Sequence, residues 1–115
     1  MSSIVEKWLK YVVDAMDDKK AIDLEVLNVK GISGVADYFV IAHGNSERQV
    51  QAIVSGIKDA MHQNDGMIKR VEGYDAGRWV LVDCGDIVVH VFHREERGYY
   101  NLERLWSDAP RMERV

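Results

Sequence analysis

The stretch Gly77-Arg78-Trp79-Val80-Leu81-Val82-Asp83-Cys84-Gly85-Asp86-Ile87-Val88-Val89-His90-Val91-Phe92 decides the fold. Two runs rich in β-branched residues flank a short turn containing glycine, the pattern of a β-hairpin. With Cys84 and Gly85 as the loop, Asp83 faces Asp86, and the pairs Val82–Ile87, Leu81–Val88, Val80–Val89 and Trp79–His90 follow outward. Alternation then places Trp79, Leu81, Val88, His90 and Phe92 on one face, and Val80, Val82, Ile87, Val89 and Val91 on the other. Neither face is polar, so the hairpin is expected inside a sheet covered on both sides, as in α/β proteins.

Working outward, the chain leaves the hairpin through His93-Arg94-Glu95-Glu96-Arg97 into a short terminal helix. That helix carries Tyr99, Leu102, Leu105 and Trp106 at helical spacing, and Pro110 is expected to close the ordered part. Upstream, Met67 to Tyr74 holds three charges and reads as an outer strand, turned into the hairpin by Asp75-Ala76-Gly77. A helix precedes it: Ser46 followed by Gln49 is a capping box, and Val50, Ile53, Val54, Ile57, Ala60 and Met61 form its apolar stripe. Asn64-Asp65-Gly66 stops that helix. Asp37-Tyr38-Phe39-Val40-Ile41-Ala42 is a continuous apolar run of strand length, the mark of a central strand buried on both faces. Ser33-Gly34-Val35-Ala36 is a loop or single helical turn, and Lys20 to Val29 a first strand ending at Lys30-Gly31. From Ile4 to Asp17, Val5, Trp8, Leu9, Val12, Ala15 and Met16 recur at helical spacing. The predicted order is helix, strand, strand, helix, three strands, helix: an α/β fold with a mixed sheet of about five strands flanked by helices.

The 115 residues suit one domain, 1–115, with 47% hydrophobic and 30% charged residues and no low-complexity tract. No apolar run approaches the ~20 residues of a membrane span, no secretory signal or transit peptide is visible, and the single cysteine suits a reducing compartment. These features predict a cytoplasmic protein. The formal net charge of −4, with Lys and Arg scattered, argues against extensive direct nucleic-acid binding and favours a basic partner.

Four constellations could carry chemistry. Gly44-Asn45-Ser46, between a strand and a helix start, could hold a phosphate, but it matches neither phosphate-binding fingerprint and the capping box already accounts for Ser46. His90 and His93 are three apart, which on a strand sends them to opposite faces, so a shared metal is not expected; His90 reads as a packed, hydrogen-bonded histidine beside Trp79. Asp83 and Asp86 could pair around a metal for phosphoryl chemistry, or be an ordinary exposed turn. Between those carboxylates the Cys84 thiolate is disfavoured. The segment from Glu95 to Trp106, with two Tyr, a Trp and an Asn, has the composition of an interface, and Tyr100 and Asn101 lie off its apolar stripe. No catalytic set is complete, and neither cofactor nor metal is expected.

Several blocks together resemble one family, the ribosomal silencing factors or Iojap-like proteins. They are Ala36-Asp37-Tyr38-Phe39-Val40-Ile41-Ala42, Gly44-Asn45-Ser46 with Arg48-Gln49, Glu72-Gly73-Tyr74, Gly77-Arg78-Trp79-Val80-Leu81, Gly85-Asp86, Val89-His90-Val91-Phe92-His93 and Tyr100-Asn101-Leu102-Glu103-Arg104-Leu105-Trp106. The resemblance runs from about Ile4 to Ala109. It implies a nucleotidyltransferase-like fold without the catalytic set, and a non-enzymatic role. It implies binding to large-subunit ribosomal protein fourteen at the subunit interface, which sterically blocks joining of the small subunit when nutrients are scarce. A role near late large-subunit assembly and homodimer formation are also implied. The expected contact surface is Tyr74, Trp79, Asp83, Asp86, His90, Glu95, Glu96, Tyr100 and Asn101, with acids meeting the partner's Lys and Arg and aromatics as anchors. The competing readings are a metal-dependent nucleotidyltransferase using Asp83 and Asp86, with Ser46 at a phosphate, and a dimeric adaptor unrelated to ribosomes.

Overall fold

A computed structural model describes residues 3–31, 34, 36–100 and 111–112. In chain order the elements are α1 (Ser3–Asp18), β1 (Ile22–Asn28), β2 (Tyr38–Gly44), α2 (Glu47–Gln63), β3 (Arg70–Glu72), β4 (Trp79–Asp83), β5 (Ile87–His93), α3 (Arg94–Tyr100) and β6 (Arg111–Met112). The strands form one sheet in the order β3-β4-β5-β2-β1-β6, parallel between β2 and β5 and antiparallel elsewhere. The architecture is the expected mixed α/β one, with six strands rather than about five. The extra strand also corrects the reading of Pro110: the chain pairs again just beyond it, Arg111 opposite Leu27 and Met112 opposite Val26. A proline lacks its own N–H but does not stop the residues after it from joining an edge.

The α1 and α2 stripes cover one face of the sheet. Val5, Leu9, Val12, Val13 and Met16 pack with Val50, Ile53, Val54, Ile57 and Met61 over Val26, Val40, Ala42, Val80, Val82, Val89 and Val91. Val13 takes the fully buried place expected of Ala15, which is only half-buried. The other face holds Leu27, Val29, Ala36, Phe39, Ile41, Val88 and Phe92, with Trp79 and Leu81 against them. β2 is buried along Tyr38 to Ala42, as its continuous apolar run requires. β1 and β3 are shorter than their sequence patterns. β1 begins at Ile22 and carries a register shift between Ile22 and Glu25, where Asp23 adopts φ +50. β3 keeps only Arg70–Glu72 of the expected Met67–Tyr74.

The hairpin register differs from the expected one. Cys84 N–H donates to the carbonyl of Ile87 at 2.9 Å, so these two residues close the ladder and Gly85-Asp86 is the turn. Gly85 adopts φ +91, and its N–H donates to Asp83 Oδ1 at 2.9 Å, a local bond that Asp favours in turns. Asp83 therefore pairs with Val88, Val82 with Val89, Leu81 with His90, Val80 with Val91 and Trp79 with Phe92. The slip is two residues, so every side chain keeps its expected face. Asp83 and Asp86 no longer face each other. The chain also turns helical at once after β5, so Arg94 to Arg97 belong to α3 and are not a connection. The expected helical positions Leu102, Leu105 and Trp106 lie outside the described residues.

Candidate partner-binding surface

The aromatic part of the surface is built by the hairpin register. Trp79 opens β4 directly opposite Phe92, and the two rings stack with centroids 5.2 Å apart and planes 26° apart. His90 is the diagonal neighbour of Trp79, and the indole Nε1–H donates to His90 Nδ1 at 3.1 Å. Phe39 on β2 meets the imidazole edge-on at 5.5 Å. Burial pushes the His90 imidazole down to about 4, so it is neutral at neutral pH, with Nδ1 as acceptor. His90 was expected among the contact residues, but only 7% of it is exposed, because both its strand neighbours and the ring partners close over it. It supports Trp79 from below. Trp79 and Leu81 are half-buried and, with Glu72 and Gly73, line a shallow depression of about 310 Å³.

Beside the depression the charges are already engaged. Arg70 lies opposite Asp83 across β3 and β4, and its guanidinium reaches Asp83 at 3.5 Å and Glu72 at 3.0 Å. Asp83 thus serves Arg70 and its own turn. Asp86 is exposed, and its carbonyl accepts from the N–H groups of Asp37 at 2.8 Å and Tyr38 at 3.1 Å, tying the turn to the start of β2. The Asp83 carboxylate is held by Arg70 and the turn, while Asp86 bonds through its backbone carbonyl, and across the ladder Asp83 stands opposite Val88. Among the described residues no group of three or more His, Cys, Asp or Glu is placed to hold a metal ion. Cys84 is buried, and burial, reinforced by the Asp83 charge, pushes its thiol up to about 12.

The acids of α3 are organised by a residue that the sequence reading overlooked. Arg78 precedes Trp79 and reaches Glu95 at 2.9 Å, Glu96 at 2.8 Å and Glu47, at the start of α2, at 3.2 Å. These hydrogen bonds raise the Arg78 guanidinium further and hold the Glu95 carboxyl below its usual range. Glu95 still exposes 62% of its side chain and Glu96 25%. Arg97 secures the other side of α3: it is buried, donates to the Ile22 carbonyl at 3.2 Å, contacts His43 Nδ1 at 3.0 Å and lies 3.9 Å from Glu25. The signal for both was available, since each is a lone arginine bordering an acidic or apolar run, but their partners are distant in sequence.

Tyr74 does not join this surface. Its hydroxyl is hydrogen-bonded to that of Ser55 at 3.1 Å, Lys58 lies over its ring, and Gln51 Nε2 donates to its carbonyl at 3.0 Å. It packs with the α2 side of the sheet, opposite the Trp79 side, because the loop 73–78 folds over α2 before the chain enters β4. Tyr100 ends α3, and Asn101 lies outside the described residues. At Gly44-Asn45-Ser46 the cap occupies the expected donors. Gln49 N–H donates to Ser46 Oγ at 3.0 Å, Asn45 N–H donates to Gln49 Oε1 at 2.8 Å, and Gln49 Nε2 donates to the Lys20 carbonyl at 3.0 Å. His90 and His93 are kept apart: while His90 meets Trp79, His93 Nδ1 accepts from Glu95 N–H at 3.2 Å.

The family described as "Ribosomal silencing factor during starvation" matches residues 3–115. A ribosomal silencing factor of Bacillus subtilis is 60% identical over 102 residues, 89% of this chain and 86% of the relative. A crystal structure of a Bacillus halodurans protein superposes with a TM-score of 0.85 at 54% identity, covering 94% of this chain and 98% of that one. A mouse protein named mitochondrial assembly of ribosomal large subunit protein 1 is 35% identical over 100 residues, 84% of this chain and 43% of the relative. With a match over nearly its whole length, the chain belongs to the ribosomal silencing factor family.

Proposed function

We propose that this protein represses translation without catalysis. In this reading it binds the basic large-subunit ribosomal protein fourteen at the subunit interface, and its bulk blocks joining of the small subunit when nutrients are scarce. The half-buried Trp79, held in place beside the Leu81 depression, carries the reading: an ordered indole at a shallow apolar site is the kind of anchor that dominates an interface. The exposed acids Glu72, Asp86 and Glu95 add charge complementarity for a basic partner, as does the net charge of −4. The mouse relative's name connects that protein with the large subunit, the particle proposed here. The contact surface is therefore Trp79, Leu81 and the acidic rim with Tyr100 and Asn101 nearby in sequence; His90 acts beneath it and Tyr74 lies outside it. A cytoplasmic location is part of this reading and is consistent with it. The nucleotidyltransferase alternative has little support: Asp83 is held by Arg70 and by its own turn, and Asp86 does not face it across the hairpin.

The test is co-sedimentation with isolated large subunits, repeated with small subunits added. Binding to large subunits with a loss of joined ribosomes as protein is added is the expected result. Trp79→Ala or Tyr100→Ala should weaken binding by more than about 2 kcal/mol while the domain stays folded. Failure to sediment with large subunits at physiological salt would overturn the reading.

A further inference from the structure

The second face of the sheet holds a polar ring where an apolar one would pack at less cost. His90 is surrounded by aromatic rings: Phe39 at 5.5 Å, Trp79 at 6.1 Å and Phe92 at 6.4 Å. An imidazole in such a box is tolerated when its polar atoms are hydrogen-bonded, and Nδ1 receives the Trp79 N–H at 3.1 Å. Of these rings Trp79 is the one that reaches the surface, half-buried against 8%, 7% and 0% exposure for Phe39, His90 and Phe92. Stacking on Phe92 fixes the plane of the indole but not its sense, since a ring flip leaves a stack in place. The two senses offer different edges to the depression formed with Glu72, Gly73 and Leu81. The N–H···N bond to His90 is made in only one of them.

We infer that His90 is a positioning residue: by accepting the Trp79 N–H it selects one flip of the indole and so fixes the edge that Trp79 presents to the partner protein. The inference rests on the proposed ribosome-binding reading and adds to it the residue that orders its anchor. Preorganisation of this kind lowers the conformational cost of binding without adding a contact. His90 then contributes to affinity only through the indole N–H, and its effect disappears when that N–H is absent.

The test is a cycle of four proteins, wild type, His90→Phe, Trp79→Phe and the double variant, titrated against isolated large subunits. His90→Gln is the conservative rescue, since its amide oxygen can accept the same bond. The expected result is a loss of about tenfold for His90→Phe, recovery to within about threefold for His90→Gln, and no further loss when His90→Phe is added to Trp79→Phe. In parallel, the Trp79 indole N–H resonance of the free wild-type protein should be protected from solvent exchange and should lose that protection in His90→Phe. Wild-type affinity for His90→Phe overturns the inference, as does an equal loss in the Trp79→Phe background, which would make His90 a contact or a general support. Should His90→Phe not fold, His90→Leu takes its place in the cycle, with the same expected and overturning results. A wild-type protein with a protected indole that does not bind large subunits overturns the functional reading, and this inference with it.

Discussion

Gly77 lies against the first turn of α2 so closely that a β-carbon on it would stand 2.9 Å from Cβ and 3.0 Å from the carbonyl oxygen of Glu47. Its φ of +65 is a second reason for glycine, because L side chains rarely adopt that region. This close approach is what brings the next residue, Arg78, within reach of Glu47 at 3.2 Å. Gly77→Ala should therefore destabilise the fold by about 2 kcal/mol, from strain and backbone displacement together. Urea denaturation reads this directly. An unchanged midpoint would mean that the loop 73–78 yields without cost.

How much of this could be read from the sequence depends on the reach of each signal. The face on which Trp79, Leu81, Val88, His90 and Phe92 gather was legible, because alternation is local and a slip of two residues preserves it. The register itself was not, since it hinges on Gly85 rather than Cys84 opening the turn, and the bond from Gly85 N–H to Asp83 Oδ1 is a choice between similar turns. The bond from Gln49 N–H to Ser46 Oγ was legible, as capping is local, although the returning Gln49 side chain takes the Asn45 N–H and not that of Ser46. Tyr74 was expected on the same surface as Trp79, but the loop between them folds over α2 and sends the two to opposite faces. Arg78 and Arg97 were overlooked because their meaning lies in Glu47, Ile22 and His43, dozens of positions away.

The buried imidazole has a consequence for pH. His90 resists protonation down to about 4 in the folded protein, against an ordinary value of 6.5 in the unfolded chain. Between those values the unfolded state binds the extra proton, so stability falls as the pH drops through this window and is fully present above it. The loss attributable to His90 is on the order of 3 kcal/mol by pH 4. It appears as the difference between wild type and His90→Gln in urea denaturation followed from pH 7 to 4.5, where the remaining histidines and carboxylates contribute to both. Parallel curves for the two proteins would contradict the burial argument.

The thiol makes an independent probe of the same hairpin. Cys84 precedes the turn, is buried, and has its ionisation pushed up to about 12 by burial and by Asp83. A thiolate is the reacting species, so alkylation by iodoacetamide at pH 8 should be slow in the folded protein and rise to the rate of a free cysteine in urea. Substituting Asp83 by Asn removes the smaller cause and leaves burial, so the folded rate should change little. It also breaks the contact with Arg70, and a marked rise would mean that the turn opens when that pair is lost.

The last prediction concerns what holds α3 in place. A helix of seven residues has too few internal hydrogen bonds to persist alone, and Gly98 within it lowers its propensity further. Its order must come from tertiary anchors, and two are visible: Arg78 on Glu95 and Glu96, and Arg97 on the β1–β2 end of the sheet. The Arg78 pairs are partly open to water, that with Glu95 most of all, and should weaken with salt, whereas Arg97 is buried and should respond less. Arg78→Gln should then speed amide exchange along Arg94–Tyr100 and leave β4 and β5 protected, because those strands keep their ladder without it. Raising the salt on the wild type should move exchange the same way by a smaller amount. Arg78→Glu combined with Glu96→Arg should restore part of the protection, since the pair is reversed rather than lost. Exchange in α3 that ignores all three changes would take the anchoring role away from Arg78.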